Sequence, residues 1–68
     1  MRNGTNAFLK VESMILEKEE LIIELQQFNR ENKGNQKLRE QVELNKLIIS
    51  KAKEDLKLLY PIRNSFYI

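Results

Sequence analysis

The chain has 68 residues, 32% of them charged, a net charge of +2, and neither cysteine nor histidine. That length allows one small domain, and the missing residue types exclude a disulfide staple and a structural zinc site. Calcium sites need clustered aspartates with a glycine at the bend, and Asp55 is the only aspartate, so no metal or cofactor is expected.

Below roughly 70–80 residues a single core rarely supplies more than ~3–5 kcal/mol. With no staple to add, self-association is the remaining source of stability, and a homodimer is expected. The longest apolar runs are three residues, far short of the ~20 that span a bilayer, so no membrane role is expected. Residues 1–9 hold one arginine and no apolar core of the secretory kind. With the absence of cysteine, this fits the cytoplasm.

Met1 to Asn6 is polar, contains Gly4, and is expected to be a disordered tail. Thr5 or Asn6 can cap the helix that follows. The first helix is predicted over about residues 7–32, uninterrupted by proline or glycine. Its apolar stripe is Phe8, Val11, Met14/Ile15, Leu21/Ile22, Leu25 and Phe28, broken at Lys18. Met14-Ile15-Leu16 and Leu21-Ile22-Ile23 are triplets, and three successive residues cover about 200° of a helix. One hairpin partner cannot cover that arc, so some of these side chains must meet another chain or stay exposed.

Residues 33–35 are the predicted turn. Gly34 can take the left-handed conformation that ends a helix, and Asn35 can cap the next. So short a connection makes the two helices antiparallel neighbours. The second helix is predicted over about residues 36–60, stopped by Pro61. Its seam is Leu38, Val42, Asn45, Ile49, Ala52, Leu56 and Leu59, stepping alternately by four and three, apolar at all but Asn45. The expected core and dimer contacts are Val11, Ile15, Ile22 and Leu25 with Leu38, Val42, Ile49 and Leu56. Residues 61–68 form a short aromatic tail, expected to be loosely ordered, with folding back onto the bundle or docking elsewhere as the alternatives. The predicted fold is all-α: an antiparallel two-helix hairpin pairing into a dimeric four-helix bundle.

Asn45 has two readings. A buried asparagine at one seam position fixes register, because misregistered pairings leave its amide unsatisfied. Alternatively, its carboxamide faces outward and positions a water or a ligand.

The stretch Gln41-Val42-Glu43-Leu44-Asn45-Lys46-Leu47-Ile48 resembles the Ser-Gln-Glu-Leu-Asp motif, followed by Lys/Arg-Leu-Ile/Leu, of the small sporulation-regulating aspartyl-phosphate phosphatases of bacilli. Glu17-Lys18-Glu19-Glu20-Leu21-Ile22 is similar to their first helix, so the resemblance covers about residues 12–57. Glu43 and Leu44 match the motif, while Gln41 stands for its Ser, Val42 for its Gln and Asn45 for its Asp. The resemblance implies a helical hairpin that binds a phosphorylated response regulator and hydrolyses its acyl phosphate. Asn45, Gln41 and Glu43 would lie nearest the chemistry. An acyl phosphate is already labile, so orienting an in-line water can accelerate its loss. Asn45 can orient water but cannot act as a general base.

Arg39, Lys46 and Lys53 recur every seven residues, with Lys57 one turn on and Glu43 interrupting the row. This stripe reads as a solvated face, as a surface for an acidic protein such as a receiver domain, or as a nucleic-acid backbone contact. A net charge of only +2 and the absence of interleaved aromatics disfavour the last. A self-contained enzyme of ordinary type is not expected. There is no histidine base or cysteine nucleophile, and Ser13, Ser50 and Ser65 lack a recognisable base partner. Two function classes follow: a regulator of a phosphorylated signalling protein, and a non-enzymatic coiled-coil module such as an adaptor, antirepressor or phage-type inhibitor.

Overall fold

The computed structural model describes residues 3–67, which form an antiparallel hairpin of two packed helices. Helix α1 spans Asn3–Glu31 and helix α2 spans Arg39–Ser65, with one 3₁₀ turn, Gln36–Leu38, leading into α2. The all-α hairpin predicted from the heptad spacing is the observed fold. The hairpin is a rod of 53 × 15 × 13 Å.

Two matched seams hold it together. On α1 the inward residues are Phe8, Val11, Ile15, Lys18, Ile22, Leu25 and Asn29, continued by Asn32 just past its end; on α2 they are Val42, Asn45, Ile49, Ala52, Leu56, Leu59 and Arg63, preceded by Leu38 of the 3₁₀ turn, all of them buried or half-buried. Steps of three and four keep each row on one side of its helix, which is the two-stranded coiled-coil pattern. The buried apolar core is Ile15, Ile22, Ile49, Ala52, Leu56 and Leu59, with Val11, Leu25 and Tyr60 packed against it. Of the other core residues predicted, Leu38 and Val42 are half-buried at the connection end. Phe28, placed in the stripe by sequence, stands half-buried beside the seam, and Asn29 occupies the seam position.

The connection works as its residues suggest. Asn32 folds back, its backbone N–H and its Nδ2 both donating to the Phe28 carbonyl at 3.0 and 2.9 Å. Gly34 has φ +87°, the left-handed region open to glycine. Asn35 then caps the 3₁₀ turn, its Oδ1 accepting from the Lys37 N–H at 3.0 Å.

Both outer ends differ from expectation. Helix α1 already includes Asn3 to Asn6, so these four residues are not the disordered tail expected; Met1 and Arg2 lie outside the described residues. Gly4 weakens a helix by about 1 kcal/mol relative to alanine but does not stop it. At the other end α2 runs through Pro61 to Ser65 instead of stopping at Tyr60. Proline withholds one N–H and disfavours a helix interior by about 3 kcal/mol, and contacts beyond it offset that penalty. Arg63 reaches Glu12 at 3.5 Å, and Phe66 and Tyr67 pack edge-on against Phe8 at centroid distances of 5.5 and 5.7 Å. Pro61 itself is exposed. The expected loose tail is therefore helical to Ser65, and Phe66 and Tyr67 just beyond it pack on Phe8 of α1.

Candidate functional site

The motif stretch lies on α2 near the connection, and Asn45 is its only buried member, 2% exposed. Its Oδ1 accepts from Gln41 Nε2 at 2.7 Å, and its Nδ2 donates to Asn29 Oδ1 at 3.1 Å. Asn29 Nδ2 in turn donates to the Val42 carbonyl at 3.2 Å. This amide relay crosses the seam, and each group in it has the complementary donor or acceptor it needs. Asn29 was missed by the sequence reading. Its signal was present, because Phe8, Ile15, Ile22 and Asn29 recur every seven residues.

The three residues grouped by the resemblance do not converge. Gln41 and Asn45 are hydrogen-bonded, one turn apart on the same side of α2. Glu43 is rotated about 200° from both and pairs instead with Lys46 Nζ at 3.0 Å in solvent. In this arrangement the relay contains no acid or base, and its direct chemical effect is to join two helices.

The predicted basic residues Arg39, Lys46, Lys53 and Lys57 are all exposed. Arg39 and Lys46 line a cleft of about 540 Å³ over the connection, together with Arg30, Lys33, Asn29 and Glu43. Lys53 and Lys57 lie farther along α2, outside it. Among the described residues no carboxylate lies within ion-pairing distance of Arg30, Lys33 or Arg39. The cleft end of the rod is thus positive and rich in amides, suited to carboxylate or phosphate groups.

The two long edges of the hairpin are chemically unlike. One edge is polar: Tyr60 donates to Glu19 Oε2 at 2.6 Å, and Arg63, 5.3 Å from the Tyr60 ring centroid, reaches Glu12. The hydrogen bond to Glu19, with burial second, raises the Tyr60 phenol above its ordinary value. On the opposite edge Lys18, Leu21, Leu47, Ile48, Lys51 and Asp55 line a shallow groove. Asp55 bridges Lys51 and Lys18 at 3.1 and 3.2 Å. Those two ammonium groups, Lys51 first, hold its carboxyl below the usual range. Along this second edge Met14, Leu44, Leu58 and Ile62 are exposed. Leu9, Leu16 and Ile23 form a separate exposed row on the outside of α1. Exposed apolar side chains in such number are characteristic of a binding surface. Among the described residues no helix is long and apolar enough to cross a membrane.

The chain matches no protein-family model, no curated protein and no solved structure.

Proposed function

We propose that this chain is a non-enzymatic helical interaction module that works as a homodimer and regulates a protein partner by binding it. The observation carrying this reading is a contrast in exposure. Asn45 is sealed in the seam with both polar ends matched, whereas Leu47 and Leu58 stand 68% and 70% exposed. A catalytic carboxamide needs water or substrate within hydrogen-bond reach, while an interaction surface needs apolar area waiting to be covered. The row Leu9, Leu16 and Ile23 is the surface offered to the partner.

A second reading, the one implied by the resemblance, is supported by the cationic cleft. The motif residues Glu43 and Lys46 line it beside Arg30, Lys33 and Arg39. In this reading the cleft meets the carboxylate-lined phosphorylation pocket of a response-regulator receiver domain. Dephosphorylation would then require the seam to open at Asn45.

The decay of phosphorylated receiver domains, with and without the protein, decides between them. Unchanged decay is the expected result. Faster decay that Asn45→Ala abolishes would overturn the non-enzymatic reading. Receiver binding without faster decay, lost in Arg39→Glu, would make the partner a receiver and leave the module non-catalytic.

A further inference from the structure

We infer that two copies pair through the edge bearing Met14, Leu21, Ile48, Leu58 and Ile62, with α1 of each facing α2 of the other and both connections at the same end. This rests on the homodimer reading and adds the face and the orientation.

The apolar edge has no intrachain cover, and unlike the exposed row of Leu9, Leu16 and Ile23 it draws apolar side chains from both helices. Met14, Leu21 and Phe28 recur every seven residues on α1, and Ile48 and Ile62 lie two heptads apart on α2, with Leu44 and Leu58 one helical turn before each. All of these are half-buried or exposed. A face of 53 by 15 Å projects about 800 Å², the area each partner gives to a stable protein interface.

Charge selects the orientation. The α1 side of this edge carries Glu17, Glu20 and Glu24 around Lys18 and Leu21, and Lys18 is already committed to Asp55. The α2 side carries Lys51, 72% exposed in its side chain and sharing Asp55 with Lys18. Facing rods can meet in two ways. With connections at opposite ends, α1 lies along α1 of the partner, and the three glutamates confront their own copies. With connections together, α1 lies along α2 of the partner; adjacent helices are antiparallel in either arrangement, so the charges alone distinguish them. The register set by Asn29 with Asn45 and by Lys18 with Asp55 puts Glu24 level with Lys51. The second arrangement replaces repulsion by attraction, and it presents both cationic clefts at one end.

Sedimentation of the intact protein, followed by distances between nitroxides at Lys33→Cys, tests this. A dimer with labels within roughly 25 Å, two to three helix spacings, is the expected result. A dimer with labels near the 53 Å length of the rod would overturn the orientation and leave the homodimer standing. A monomer at every concentration would overturn both. Glu24→Lys separates the orientations by sign: with connections together it weakens dimerisation about threefold and Lys51→Glu restores it, whereas with connections apart it tightens it. Leu58→Glu, at a site outside the hairpin core, is expected to abolish pairing while helicity persists. Dimerisation undiminished by Leu58→Glu would overturn the choice of face.

Discussion

A carboxamide inside a two-helix seam destabilises unless both of its ends are matched, because a buried unsatisfied polar group costs about 1–3 kcal/mol. Asn45 meets that condition through Asn29 and Gln41. Asn45→Ala is therefore expected to destabilise by about 1–3 kcal/mol in urea denaturation. Its effect should also depend on Asn29. In a double-mutant cycle with Asn29→Ala, a coupling of about 0.5–1.5 kcal/mol is expected, and strictly additive losses would show that the relay contributes nothing as a unit. Asn45→Asp is the informative conservative change. The carboxylate restores the acid of the motif but offers no donor to Asn29 Oδ1 and is buried, so its pKa should rise. The folded state would then hold the proton more tightly than the unfolded state. Stability would be retained below the unfolded value of about 3.9 and lost as pH rises through the higher folded value, so this variant should unfold at a lower urea concentration at pH 7 than at pH 4. Asp55 titrates in the opposite sense. Lys51 and Lys18 lower its folded value, so its contribution is present above about pH 3.9 and disappears as pH falls through the lower folded value. Asp55→Asn should lower the melting midpoint at pH 7 and flatten its decline on the acid side; an unaltered acid limb would show that the two lysines do not hold the carboxylate in the fold.

The helices themselves show which features a linear pattern exposes. The seam of α2 could be read from Leu38 to Leu59 because its residues are adjacent in pattern and mostly apolar, and the turn because Gly34 and Asn35 have roles set by local stereochemistry. Asn29 was hidden because a polar residue at a heptad position looks like the end of a stripe until its partner across the seam is known. The end of α2 was hidden for a related reason. Pro61 is a local stop signal, and what overrides it is Phe8, 53 positions earlier, against which Phe66 packs. That balance is testable at the element scale. Pro61→Ala removes the interior proline while leaving the aromatic contacts, and should stabilise the hairpin by about 1–3 kcal/mol. Phe8→Ala should have the opposite effect, removing both edge-on ring contacts and letting the last turn of α2 open. Amide exchange would show this as faster exchange from Arg63 to Phe66 with the Asn45 region unchanged. Equal protection in both proteins would mean that the last turn holds without the aromatic clasp.

At the scale of the whole molecule, the residues that exceed the seam become the main physical problem. A buried apolar core of six side chains is small for a rod of this length, and several large apolar side chains remain in water on the outside. The triplets foretold this excess without saying which edge would carry it. That depended on the register between the helices, which puts the ion pair of Glu12 with Arg63 on one edge and Leu21 with Ile48 on the other. If a second copy covers the apolar edge, association stabilises a hairpin that is only marginally stable alone, and the melting midpoint must depend on concentration. Each tenfold increase in protein then adds about 1.4 kcal/mol per dimer, which raises the midpoint by roughly 3–6 °C for a domain pair of this size. Leu58→Glu should lower the midpoint and remove its concentration dependence together, because Leu58 is 70% exposed in the single hairpin and contributes little to it alone. A midpoint of the intact protein that stays constant over a hundredfold range of concentration would mean that one hairpin folds unaided, with its apolar edge uncovered by a second copy.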